Sequence, residues 1–147
     1  MKPARIVGLV EWFRPGERDR VERAIVHLHR LGVTHLRTGV SWADWAATGG
    51  QEWYNWLLPR LRDEVDVLPC FHYTPPSLGV EPRTSAPPRD PSAFAACLHT
   101  VLASNGSNFG EVELWNEPNN LSDWDWRLDP GWSNFAAMIR EASAVAH

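Results

Sequence analysis

Four apolar runs, beginning near residues 6, 34, 66 and 111, are each followed by a loop and then by a stretch of helical periodicity. No other feature constrains the fold as much, because strands that alternate with helices run parallel and are joined by right-handed crossovers. The first run, Arg5 to Glu11 with its apolar centre Ile6 to Val10, is punctuated by Arg14, Pro15 and Gly16. Val21, Ala24, Ile25, Leu28 and Leu31 then recur at helical spacing until Gly32. His35 to Val40 reads as the second strand and leads through a polar loop ending at Gly49-Gly50. Trp53, Trp56, Leu57 and Leu61 next share one helical face, in which Pro59 predicts a kink or an early end. Val65 to Phe71 is the third strand. The loop Thr74 to Asp90 and its border hold prolines 75, 76, 82, 87, 88 and 91, and a long loop after a strand is more often functional than idle. Ser92 is placed to cap a helix with the apolar face Phe94, Leu98, Val101 and Leu102, which Asn105-Gly106 closes. Glu111 to Trp115 is the fourth strand. Asp129 then serves as a capping acid before Pro130, and Trp132, Phe135, Ile139 and Ala142 are expected to face the core.

An α/β chain of this pattern suits two architectures: an open doubly wound sheet, or half of a (β/α)8 barrel, which needs about 250 residues when whole. No Gly-x-Gly-x-x-Gly follows the first strand, so a dinucleotide-binding sheet has no support. The 147 residues hold four strand-helix units, expected to form one partial barrel domain over 1–147, the N-terminal half of a TIM-type (β/α)8 barrel. In either architecture ligands bind at the carboxyl ends of the strands.

Charge and cysteine content narrow the function. Lys and Arg total 14 against 18 Asp and Glu, a net charge of −4 that argues against nucleic acid as a partner. Cys70 and Cys97 have no metal-ligand spacing and are too few for a disulfide framework, so no metal or other cofactor is expected. No apolar stretch approaches a membrane span, which makes a cytoplasmic protein without membrane partners the default expectation.

The unusual number is nine tryptophans, which require either an aromatic core or a ligand that stacks on them. Trp53, Trp56 and Trp132 lie on helical faces and read as core. The others lie at strand ends or in loops, and the strand ends read Glu11-Trp12, then Arg37 through Trp42, then Phe71-His72-Tyr73, then Trp115-Asn116-Glu117-Pro118-Asn119. A ring beside polar groups at every strand end suits carbohydrate, whose apolar faces stack on aromatics while its hydroxyls take directional hydrogen bonds.

Asn116-Glu117-Pro118 at the fourth strand, with Arg37 and His72 at the two preceding strand ends, resembles the acid/base motif of clan A glycoside hydrolases. Within that clan of retaining (β/α)8 barrels, the chain looks most like the β-xylosidase-type family 39, over the first half of the family's barrel. The resemblance implies hydrolysis of O-glycosidic bonds, with Glu117 as general acid/base, Asn116 on a sugar 2-hydroxyl, Arg37 orienting the nucleophile and His72 lining the sugar subsite. Trp12, Trp42, Trp115 and Tyr73 complete the expected binding set.

Retaining hydrolysis needs two carboxyl groups about 5–5.5 Å apart. Glu117 suits the acid if Trp115, Trp42 and His72 partly desolvate it and raise its pKa. Neighbouring residues on a strand point to opposite faces, so Asn116 and Glu117 reach one pocket only if the backbone turns, as Pro118 allows. The clan's nucleophile lies at strand seven. Among the spare acids near strand ends, Glu11, Glu81 and Asp123, none matches its motif. The chain is therefore expected to be the N-terminal part of a longer enzyme, inactive by itself, with open half-barrel edges that favour self-association. The alternative is a non-catalytic carbohydrate-binding or scaffold domain.

Overall fold

Each apolar run forms a strand in the computed structural model, which describes residues 6–105 and 109–146. β1 (Gly8–Val10), β2 (His35–Ser41), β3 (Asp66–His72) and β4 (Glu113–Leu114) lie in the order β1-β2-β3-β4. All neighbours are parallel, with Gly8 opposite His35, His35 opposite Asp66 and Cys70 opposite Glu113. Strand order equal to chain order has no reversal point, so the half-barrel reading holds and the doubly wound alternative falls away. β4 pairs only with Cys70 and Phe71, which leaves Pro69 where β3 has a neighbour on one side alone.

The connecting helices are α1 (Arg18–Leu31), a short α2 (Trp42–Ala46), α3 (Gly50–Arg62), α4 (Ser92–Asn105) and α5 (Ser133–Ala146). α1 ends at Gly32, whose left-handed φ of 66° is natural for glycine, and it buries Val21, Ile25 and Leu28. Leu31, expected on that face, is 69% exposed instead. α3 does not stop at Pro59 but continues through Arg62. The proline falls in the last turn, where the amides of Asp63, Glu64 and Val65 donate to the carbonyls of Pro59 and Leu61 and satisfy the end.

Two caps differ from expectation. Asp90, rather than Ser92, supplies the acceptor at the start of α4: its Oδ1 accepts from the Ser92 amide at 2.9 Å and the Ser92 hydroxyl at 2.7 Å. The proposed closing residue Gly106 lies outside the described residues, as do Arg5 and the rest of the first five. Asp129 does cap α5, accepting from the amides of Asn134 and Phe135, but Pro130 and Trp132 stay in the preceding turn. Trp132, with φ 57°, is consequently 38% exposed and not core, while Met138 and Ala142 bury the helix. Among the described residues no helix is long and apolar enough to cross a membrane.

Five of the nine tryptophans are core. Trp42, Trp45, Trp53, Trp115 and Trp124 are each less than 7% exposed, and Trp56 is half-buried against Trp53 at 5.3 Å. A tilted Trp42–Phe94 contact and three edge contacts through Trp115, Trp124 and Phe135 link these rings at centroid distances of 5.0 to 5.6 Å. This aromatic wall joins the end of β2 to α4, the loop after β4 and α5. Perpendicular rings satisfy the π quadrupole and add to the burial energy.

Candidate functional site

A cleft of about 810 Å³ opens at the carboxyl ends of the strands. Trp12 after β1, His72 and Tyr73 at the end of β3, and Asn116 and Glu117 after β4 all line it, as does Arg37, which lies not at the end of β2 as expected but third in it, its long side chain reaching up the ladder. Six of the eight residues singled out in the sequence therefore share one space.

Trp42 and Trp115 do not. Ser41 accepts a hydrogen bond from the Asp44 amide at 3.0 Å and starts α2 directly at the end of β2, which turns Trp42 under the helix. Trp115 has φ 83°, so its ring leaves the strand alternation, and its indole donates to the Asp123 carbonyl at 3.1 Å. The expected desolvation of Glu117 by these rings is absent, and its side chain is exposed.

The turn that brings Asn116 and Glu117 together is nevertheless present. It is made by positive φ at Trp115 and at Glu117 (34°), just ahead of Pro118. Tyr73, at the end of β3, also has positive φ, 64°. Such conformations cost non-glycine residues of order 1 kcal/mol or more each and persist only where surrounding contacts hold them. Here Trp115 is held through its indole and through its amide, which donates to the Phe71 carbonyl at 2.8 Å; Tyr73 is held by its carbonyl, which accepts from the Ala43 amide at 3.0 Å.

Charge in the cleft is organised around Arg37. Its guanidinium donates in bidentate fashion to Glu113 at 2.6 Å and 2.6 Å, and to Asn116 Oδ1 at 2.8 Å. It also lies 5.3 Å from the centre of the Trp12 ring. The pair depresses the Glu113 carboxyl below its usual range and raises Arg37. Arg37 thus spends its fork on Glu113, one β4 residue that sequence reasoning had not paired with it. Burial, with Glu113 beside it, pushes the Cys70 thiol up to about 12, so that thiol stays protonated and unreactive.

His72 is 6% exposed, and its Nδ1 has no hydrogen-bond partner among the described residues. Burial lowers its pKa to about 4, with Arg37 adding to the effect and Asp123 opposing it. A neutral imidazole therefore faces the cleft at ordinary pH, with Trp12 edge-on at 4.8 Å and Tyr73 tilted against it at 4.0 Å. Burial, then Asp123 and Asp44, raise the Tyr73 phenol and keep it a hydrogen-bond donor.

Three contributors went unrecognised in the sequence reading. Gly39 is one: a Cβ there would lie 1.9 Å from the Trp12 ring and 2.9 Å from His72 Nε2, so the absence of a side chain is what lets the ring approach β2 this closely. A glycine inside a strand pattern signals such close approach. Glu113 is the second. Asp123 is the third, a spare acid in the sequence that proves buried and cleft-lining, whereas Glu11 pairs with Arg20 and Glu81 with Arg83.

The proline-rich loop is tied to the segment after β4. Arg83 reaches the buried Asp125 at 2.6 Å, the Asp125 amide donates to the Ser85 carbonyl at 2.7 Å, and Asn134 donates to the Pro88 carbonyl at 2.9 Å. Arg127 also grips Asp125 and holds its carboxyl down at about 2.

No protein-family model and no curated protein matches the sequence. Among solved structures, the chain is similar to a family 39 glycoside hydrolase from the gut symbiont Bacteroides cellulosilyticus WH2, with a TM-score of 0.55 and 16% identity. The likeness covers 92% of this chain and 29% of that one, so this chain spans less than a third of its neighbour's length. At that identity the likeness is one of fold: four parallel strands alternating with helices, as in half of a (β/α) barrel.

Proposed function

We propose that this chain is the acid/base part of a retaining glycoside hydrolase acting on O-glycosidic bonds, with a carbohydrate as ligand of the strand-end cleft. The observation that carries the reading is that Asn116 and Glu117, from the end of β4, meet Arg37 of β2, His72 of β3 and Trp12 after β1 in one cleft. Trp12 supplies a stacking face, His72, Tyr73 and Asn116 supply neutral hydrogen-bonding groups, and Glu117 is the carboxyl free to protonate a leaving oxygen. The second carboxylate of a retaining enzyme has no counterpart among Glu11, Glu81 and Asp123, which are engaged as described above. Turnover therefore requires a carboxylate from a further βα unit, and this chain alone binds without hydrolysing.

The exposure of Glu117 favours one competing reading, a carbohydrate-binding domain without catalysis. A general acid at neutral pH needs an environment that raises its pKa, and here further βα units would have to cover it. The two readings separate in an assay with aryl β-glycosides once the remaining units are supplied: hydrolysis supports the first, and saturable binding without turnover at any pH supports the second.

Self-association belongs to the same proposal. Among the described residues β1 pairs with β2 alone, and Ile6, Val7, Leu9 and Val10 are 71%, 54%, 42% and 54% exposed. Between this edge and α1 runs an apolar groove of about 280 Å³ that includes Leu9, Ala24, Leu28 and Leu36. An open strand edge beside apolar surface recruits another chain. Sedimentation of the protein is expected to show mass rising with concentration, and Leu9→Lys to reduce that rise. A stable monomer at high concentration contradicts it.

A further inference from the structure

We propose that Asp123 is a positioning residue of the cleft, one that fixes the side-chain amide of Asn116 in a single orientation. The inference rests on reading Asn116 as a sugar-facing group. A carboxamide has two nearly isosteric flips, with oxygen and nitrogen exchanged, and only its neighbours decide between them. Asn116 sits between opposite charges. Its Oδ1 accepts from the Arg37 guanidinium at 2.8 Å, and its Nδ2 donates to Asp123 Oδ1 at 2.8 Å. The reverse flip would set the carbonyl oxygen against a carboxylate and the amino group against a guanidinium, replacing two charge-assisted hydrogen bonds by two repulsive contacts.

Asp123 is itself held from every side, which is what an anchor needs. Its Oδ2 accepts from the Ser122 hydroxyl at 2.8 Å, its carbonyl accepts from the Trp115 indole at 3.1 Å, and its amide donates to the Asn120 carbonyl at 2.9 Å. It is 4% exposed. Arg37 is pinned in turn by Glu113, so a continuous line of bonds runs from β4 through β2 to the loop after β4, with Asn116 in the middle. With both ends of the amide committed, one Nδ2 hydrogen and one Oδ1 lone pair remain to meet a hydroxyl, and their directions are set before a ligand arrives. Preorganisation of this kind raises affinity by removing the ordering cost from the binding step.

The test is nuclear magnetic resonance of the Asn116 Nδ2 protons in the whole chain, combined with a double-mutant cycle on p-nitrophenyl β-glycoside binding. In Asp123→Ala the proton bonded to the carboxylate is expected to move upfield, towards the shift of an exposed asparagine amide. Affinity is expected to fall about tenfold, as in Asn116→Ala, with no further loss in the double variant. Asp123→Asn, which keeps the size and one acceptor oxygen, gives a smaller shift of the same sign and replaces the alanine variant if that fails to fold. An unchanged Asn116 amide in both variants overturns the proposal, as do additive losses in the cycle. If the unsubstituted chain binds no glycoside, the proposed function fails, and the amide resonance alone decides the positioning role.

Discussion

On the proposed function, Glu117→Gln is expected to lower hydrolysis of an alkyl β-glycoside by about 10²- to 10⁴-fold in a barrel completed by further βα units, the range for loss of a positioned general acid. Glutamine keeps the shape and the bond from Asn120 but holds no transferable proton. The loss depends on the leaving group. An alkoxide departs only if protonated, whereas a dinitrophenolate departs unaided, so the same substitution costs far less with the activated substrate. Equal losses on both substrates assign Glu117 to binding, and no loss on either removes it from the reaction. The turn that presents Glu117 has positive φ at Trp115 and Glu117, and the Trp115 indole bond and aromatic packing maintain it.

The second large effect is on stability in acid. An unfolded chain protonates His72 near pH 6.5, whereas the folded chain resists protonation until about pH 4 because the imidazole is buried. Across that window the unfolded state binds more protons, so stability falls as pH drops. The loss attributable to His72 is on the order of 2 kcal/mol by pH 5, above the range where Glu113 and Asp125 begin to lose their ion pairs. Urea unfolding at pH 7 and pH 5 is expected to show this decrease in the unsubstituted chain and not in His72→Gln, which carries no titrating group there. An equal decrease in both contradicts the buried neutral imidazole.

The fold was legible because periodicity reports burial directly. Strand starts, the glycine stop of α1 and the apolar face of α4 all follow from local patterns, and the parallel order follows from the crossover rule. α2 was invisible, since five residues starting at the strand end are too short for a periodic signal. Of the eight residues singled out, Trp12, His72, Tyr73, Asn116 and Glu117 reach the cleft from strand ends as read, whereas Arg37 reaches it from the third position of β2. Trp42 and Trp115 were misread because their direction depends on a serine cap and a left-handed backbone angle, neither of which residue type reveals. Asp123 was counted but not placed, because its burial depends on how the loop after β4 folds back under Trp115. Gly39 carried a signal that was passed over: a glycine in a strand usually marks where something else must fit.

The central claim, that the strand-end cleft is a glycoside site, is tested most directly by titrating this chain with β-glycosides and following tryptophan fluorescence. Trp12 is the tryptophan that lines the cleft, so saturable quenching is expected in the unsubstituted chain and its loss in Trp12→Phe. An unchanged spectrum throughout the titration, or quenching that survives in Trp12→Phe, contradicts the account.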